Sequence, residues 1–372
     1  MENEKLYGIA LKLLKGIGDA TARTLISYVG SAEAVFSASR GKLLKVPGVG
    51  EKTVEEMKEK SAALQRAEKE LKFADKHQVE ILFYYDKRYP KRLLHCPDAP
   101  LFLFVKGNVD LNKPRMINIV GSRHATEYGR MEREKPVAEL AACQVHLVSG
   151  LAFGIDICAH KAALKYDMQN IAVLAHGLDT VYPHQHRSVA EKLQENGALI
   201  STFLSETIPD KQNFPNRNRI VAGMTDATIV VESAISGGAL ITAAVANEYN
   251  RDVFAFPGRV DDVYSAGCLK LVKTNSASLV TETKDIIQAM NWDIQQKETT
   301  SHMPVQSALF VELDEQEQQV FDCLKQREKW HIDDLQLAVP LPQSVLPGLL
   351  LQMEMKGLLR SLPGKMYRLQ QT

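Results

Sequence analysis

The alternation of apolar and polar positions divides the chain into regions of different character. Over the first 75 residues apolar positions recur at helical spacing, and a short pattern occurs twice. Leu13-Leu14-Lys15-Gly16-Ile17-Gly18 is echoed by Leu43-Leu44-Lys45-Val46-Pro47-Gly48-Val49-Gly50, and each copy precedes a helical stretch. Glycine-apolar-glycine between helices predicts helix-hairpin-helix units, whose turn amides at the next helix start can face a phosphate. A helical packing region that binds nothing fits the same pattern.

Residues 79–85 and 101–105 predict two strands around a proline-containing loop. From Arg115 the period changes. Short apolar runs at 116–120, 145–149, 171–175, 198–202, 227–232 and 253–257 alternate with helical patterns near 127–143, 155–167, 186–196, 216–224 and 239–250. Unbroken apolar strands between helices predict an α/β fold, a parallel sheet covered on both faces. Residues 293–308 are polar and aperiodic, as a linker is. The final segment predicts three helices, at 315–326, 331–339 and 344–359, then a hairpin from Arg360 to Leu369 turning at Pro363-Gly364, the order of a winged helix. The expected domains are therefore 1–75, helical; 76–292, a Rossmann-like core; 293–308, a linker; and 309–372, winged-helix-like.

Charge narrows this picture. Lys plus Arg equals Asp plus Glu, 45 each, so no whole-chain basic field draws nucleic acid and any anion site is local. Residues 1–75 carry 13 basic and 11 acidic side chains, and residues 309–372 carry 7 and 9, which favours a structural or protein-contact role for the last domain. The N-terminal stretch lacks the pattern of a signal peptide, and no apolar run has membrane-spanning length. Five scattered cysteines, Cys96, Cys143, Cys158, Cys268 and Cys323, with no C-x-x-C, read as reduced thiols of a cytoplasmic protein.

Ligands on open α/β sheets bind beyond the carboxyl ends of the strands. Those ends carry Gly121-Ser122-Arg123, Ser149-Gly150 and, at 237–238, a Gly-Gly pair before a helix. Each suits a phosphate cradle, and each is also compatible with an ordinary turn. Asp156 and His160 share a helix face, either as an acid/base or metal pair or as a capping residue and a bonded core histidine. Two histidines at 184 and 186 have no cluster to complete a metal site. The densest polar run is Lys211-Gln212-Asn213-Phe214-Pro215-Asn216-Arg217-Asn218-Arg219, read as a loop leading into a helix. Its cations suit phosphates, and Phe214 offers a π-face for a base. An arginine here could instead pair with Glu206 or Asp226. The chain has no Walker phosphate loop, no dinucleotide fingerprint and no carboxylate cluster of a metal-dependent nuclease, so no cofactor, metal or catalytic residue is expected.

These runs, with Gly177-Leu178-Asp179, Tyr182-Pro183, Val230-Val231-Glu232 and Pro257-Gly258, form an ordered set across 115–275 that closely resembles the DprA/Smf family, the DNA-processing proteins of natural transformation. The resemblance implies an extended Rossmann fold that binds single-stranded DNA as a homodimer, protects incoming strands and loads RecA, without turnover chemistry. It assigns DNA binding to Gly121, Ser122, Arg123, Ser149, Gly150, Lys211, Asn213, Phe214, Arg217 and Arg219, with Gly237 as an addition. Phe153 departs from the family, which often has Arg there. Two alternatives are a phosphoribohydrolase-type nucleotide enzyme, partially echoed by Glu232 with Gly237-Gly238, and a structural scaffold for RecA.

Overall fold

A computed structural model describes residues 2–57, 60–123, 136–292, 313–327, 329–342, 345–362 and 364–369. The linker expected at 293–308, most of the helix expected at 127–143, and Pro363 lie outside the described residues. The chain forms two compact units, Met1–Thr283 and Lys284–Thr372.

Among the described residues of the first unit, six helices precede the sheet: α1 (Glu2–Leu13), α2 (Asp19–Val29), α3 (Ala32–Ser37), α4 (Arg40–Leu43), α5 (Glu51–Glu56) and α6 (Lys60–Lys76). The repeat is a repeat of backbone geometry. Gly16 and Gly48 both have φ of 77°, a left-handed turn that favours glycine. In each copy an apolar N–H three residues on closes the turn, Ile17 to the Leu14 carbonyl and Val49 to that of Val46. The helix start after the first hairpin already holds an anion of its own. The Asp19 carboxylate accepts from the Leu101 N–H at 2.8 Å and pairs with Lys12 at 2.9 Å. The helices do not stand apart from the sheet: Ile9, Ala10 and Leu25 share one core with Phe83, Phe102 and Phe104.

The nine-stranded sheet runs β1-β2-β6-β5-β4-β3-β7-β8-β9. Its strands are β1 (Glu80–Phe83), β2 (Phe102–Gly107), β3 (Met116–Val120), β4 (His146–Ser149), β5 (Asn170–Val173), β6 (Gly197–Ser201), β7 (Ala227–Val230), β8 (Asp252–Ala255) and β9 (Ser278–Leu279). β3 to β9 are parallel, and β2 joins β6 antiparallel. Every residue of β3, β4, β5, β6 and β7 is buried, which is why those runs show no alternation. β1 ends two residues before the predicted boundary because the Asp86 carboxylate captures the Phe83 N–H at 2.7 Å and turns the chain. Strand order reverses at β3: β4, β5 and β6 build outward on one side, β7, β8 and β9 on the other.

Between strands lie α7 (Lys91–Leu94), α8 (residues 136–142), α9 (Ile155–Lys165), α10 (Arg187–Leu193), α11 (Asn213–Gly223), α12 (Gly238–Glu248) and α13 (Ala266–Lys273). α13 was not anticipated. α11 begins at Asn213, three residues before the helical pattern expected from 216, so Asn213, Phe214 and Pro215 belong to its first turn. Asp210 opens it, accepting from Gln212 N–H on its side chain and Asn213 N–H on its carbonyl. Pro215 fits there because a first-turn residue needs no N–H.

In the second unit, α14 (Thr283–Ala289) is followed by α15 (Glu315–Leu324), β10 (Trp330–His331), α16 (Ile332–Ala338), α17 (Leu346–Met355) and the hairpin β11 (Leu359–Leu362) and β12 (Met366–Leu369). An Asp314–Glu317 capping box starts α15, and the buried Glu317 carboxylate also receives Lys356. Three helices and a three-stranded sheet make the expected winged helix, with β10 as its unforeseen third strand.

Candidate nucleic-acid interface

Beyond the carboxyl ends of β3, β4 and β5 opens a small cleft. Arg123, Phe153, Tyr182, Phe214 and Arg217 line it, over a floor that includes Gly150, Ala175 and His176. It lies at the reversal of strand order, where adjacent loops diverge and leave space.

Arg217 is the centre of the cleft and is 5% exposed. Its guanidinium lies over Gly150, where a Cβ would sit 1.0 Å from Nη1, so glycine is required for this approach. The counter-charge is Asp156, whose Oδ2 is 3.6 Å from Nη1. Burial pushes Arg217 down and Asp156 up from their ordinary values, and each opposes the other's shift. The Arg217 Nε is buried without a hydrogen-bond partner among the described residues.

Asp156 also accepts from the Gly150 N–H at 3.2 Å and the Ala152 N–H at 3.4 Å. Between them, the Leu151 N–H donates to His160 Nε2 at 3.3 Å, and Leu151 is held at φ of 56°. His160 Nδ1 faces the Asn170 Oδ1 at 2.5 Å, which fixes the neutral tautomer with its proton on Nδ1. Burial lowers His160 to about 4. Asp156 and His160 therefore organise the turn after β4, in line with the capping and core-histidine readings.

This geometry corrects the expected row of amide cradles. The N–H groups of Ser122, Gly150, Ala152 and Gly237 already meet acceptors within the chain: the Glu232 carbonyl at 2.7 Å, Asp156 twice, and the Ala234 carbonyl at 2.9 Å. The chain's own carboxylate occupies the β4 turn as an anion would. Ser149 is fully buried, and its hydroxyl donates to the Ile119 carbonyl at 2.8 Å. Those four amides are therefore already engaged, whereas Arg123 and Arg217 bring cations to the cleft.

Phe214 and Arg217, three apart on α11, face the cleft together. Arg123 is exposed, and its guanidinium lies 4.9 Å from the Phe214 ring centroid, while that of Arg217 lies at 5.9 Å. The aromatic expected to offer a bare face to a base is a seat for two cations. Arg219 points elsewhere, because two helical residues apart is a turn of about 200°. It bonds Asp98 at 2.7 Å and lies 3.5 Å from the Tyr249 hydroxyl. Neither suggested carboxylate pairs with these arginines: Glu206 holds Lys69, and Asp226 holds Arg92.

Of the remaining candidates, Gly121 packs so closely on Ile155 that a Cβ would meet its Cγ1 at 2.2 Å. Ser122 accepts the Ile155 N–H on its carbonyl at 3.1 Å. Lys211 is exposed before α11, and Asn213 Nδ2 donates to the Ile208 carbonyl at 3.4 Å. Gly237 caps α12 and is not among the residues lining the cleft. Glu232, weighed for a nucleotide enzyme, is 2% exposed. Among the described residues, no His, Cys, Asp or Glu cluster is arranged to hold a metal, and no helix is long and apolar enough to cross a membrane. Sequence reasoning missed Phe153, His176 and Tyr182 as cleft residues. The Tyr182-Pro183 pair, part of the motif set in the sequence, was the available signal, and both residues line the cleft.

The fold is that of a Rossmann-type protein with helix-hairpin-helix and winged-helix appendages. The chain belongs to the DNA recombination-mediator protein A family, which it matches over residues 80–291, and it is a mediator rather than an enzyme. A SAM-like helix-hairpin-helix tandem matches residues 9–62, and the DprA winged helix domain matches 307–365. It is similar to protein Smf of Escherichia coli, 36% identical over 288 residues, 76% of this chain and 75% of that one. The DNA processing protein DprA of Streptococcus pneumoniae is 40% identical over 202 residues, 54% of this chain and 71% of that one. The X-ray structure of S. pneumoniae DprA superposes with a TM-score of 0.62 at 29% identity, covering 77% of this chain and 98% of that one. DNA processing protein A of Helicobacter pylori, described for its single-stranded DNA binding mode, superposes with a TM-score of 0.52 at 27% identity, covering 57% and 94%.

Proposed function

We propose that this recombination mediator binds single-stranded DNA in the cleft at the β3–β5 strand ends, with Arg123 and Arg217 holding the phosphate backbone. The observation that carries the reading is the convergence of both guanidiniums on Phe214, with a buried Arg217 Nε that has no partner among the described residues. A cation seated on an aromatic is ordered before its anion arrives, so less entropy is lost on binding. Gly121, Ser122, Ser149 and Gly150 shape the two turns, and Lys211 and Asn213 extend the rim. Arg219 and Gly237 lie outside this set.

The H. pylori relative described for single-stranded DNA binding supports the choice of ligand. Family membership supports the wider reading: a cytoplasmic homodimer that protects incoming strands in natural transformation and hands them to RecA. In that reading residues 1–75 and 309–372 flank a DNA-binding core of 76–292, with 293–308 as linker.

The test is titration with oligo-dT and matched duplex at two salt concentrations. Single strands should bind more tightly, and Arg123→Ala should flatten the log-log salt slope by about 0.7, the share of one phosphate. Equal affinity for duplex would sink the reading, and an unchanged slope would remove Arg123 from the site.

A further inference from the structure

The three cleft aromatics differ in what already covers them. Phe214 carries guanidiniums at 4.9 and 5.9 Å. Phe153 and Tyr182 carry no cation on their rings among the described residues, and they are 41% and 47% exposed. Leaving so much aromatic surface in water is unfavourable by roughly 25 cal/mol per Å². Both rings nevertheless sit on well-anchored backbone. Phe153 packs against His186 at 5.0 Å with its plane tilted by 71°, and the His186 Nδ1 is itself bonded to the Leu151 carbonyl at 2.8 Å. The Tyr182 N–H donates to His176 Nε2 at 3.3 Å. The Phe153 ring and the Tyr182 backbone are thus anchored, and both side chains are solvent-facing and set on the same cleft as both arginines.

We infer that Phe153 and Tyr182 form the base-stacking lip of the cleft, and that Phe214 acts on the phosphate side by seating Arg123 and Arg217. This division of labour rests on the single-strand reading above and specifies how the cleft tells a base from a bare backbone. A nucleobase stacks on any accessible π-face with little regard to sequence. Reaching Phe214 would require it to displace a guanidinium, whereas Phe153 and Tyr182 are open. The base edge then lies against apolar floor atoms of Leu174 and Ala175.

The experiment compares oligo-dT with an abasic strand of equal length, which keeps the phosphates and removes the bases. The wild-type protein should prefer oligo-dT. Phe153→Leu should shrink the ratio of the two affinities by roughly fivefold or more, the stacking contribution of one base. Tyr182→Leu should act in the same direction, and Phe153→Trp should retain the ratio. Phe214→Leu should weaken both strands together, leaving the ratio largely intact. Thermal melts of each variant report folding separately. A ratio that survives Phe153→Leu and Tyr182→Leu overturns the inference, as does a ratio that collapses only with Phe214→Leu. A wild-type protein that binds both strands equally overturns the lip but keeps the phosphate site. One that binds neither overturns the single-strand reading itself.

Discussion

The two faces of α11 carry arginines two residues apart, and their surroundings make them different groups. Arg217 is buried over Gly150, faces one carboxylate at 3.6 Å and keeps an unpartnered Nε among the described residues. Arg219 is 43% exposed by side chain and is engaged by Asp98 at 2.7 Å, with Tyr249 and Glu248 nearby. The same residue type is an incompletely neutralised cation on one face and a brace to the loop before β2 on the other. Cation count alone therefore does not locate an anion site; what matters is how much of each charge the fold has already used.

The largest expected effect lies on the buried face. Arg217→Ala leaves Asp156 as an unpaired buried carboxylate, and breaking such a pair costs about 3–5 kcal/mol. Urea denaturation should show this loss, together with the loss of oligo-dT binding. Replacing both partners, Asp156→Asn with Arg217→Met, should recover much of the stability without restoring affinity. Recovered affinity would show that Arg217 serves the fold and not the strand.

A smaller effect follows from the histidine beneath that face. An unfolded histidine titrates near 6.5, and burial lowers His160 to about 4. Above pH 6.5 the group is neutral in both states and its contribution is fully present. As pH falls from 6.5 toward 4 the unfolded chain takes up a proton that the folded chain refuses, so stability is lost, by roughly 2 kcal/mol at pH 5. His146, also lowered to about 4 by burial, adds to the loss. Asp156, pushed up by burial, works the other way, because there the folded state takes the proton more readily. Urea midpoints at pH 7 and pH 5 should show the drop, and His160→Gln should flatten it. An undiminished pH dependence in that variant would place the titration elsewhere.

The contrast between the two arginines also marks how far the sequence could be read. The parallel core was legible because strands buried on both faces must be apolar throughout, and β3 to β7 are. The helix-hairpin-helix repeat was legible because glycine is what a turn at φ of 77° favours, and it occurs twice. Arg123, Phe214 and Arg217 were legible as a set through their motifs. The direction of each side chain was not. The helical pattern reads from 216 because Asn213 and Pro215 are poor helix formers, yet α11 starts at Asn213 just after Asp210, and helical phase then separates Arg217 from Arg219. The amide cradles misled for a related reason. A serine-glycine turn has the same sequence whether its N–H groups await a phosphate or already hold Asp156, six residues beyond Gly150.

The smallest expected effect tests the exposed face. Arg219→Ala removes a partly exposed ion pair with Asp98, and such pairs contribute about 0–1 kcal/mol. Tyr249 keeps its hydroxyl contact with Asp98, so the brace to that loop survives in part. Affinity for oligo-dT should stay within about twofold, because a free energy change under 0.5 kcal/mol corresponds to that ratio. The salt slope should not move, since no phosphate contact is lost. A slope that falls as far for Arg219→Ala as for Arg123→Ala would mean that the strand crosses both faces of α11. The Asp98 pair would then be a resting contact that DNA displaces.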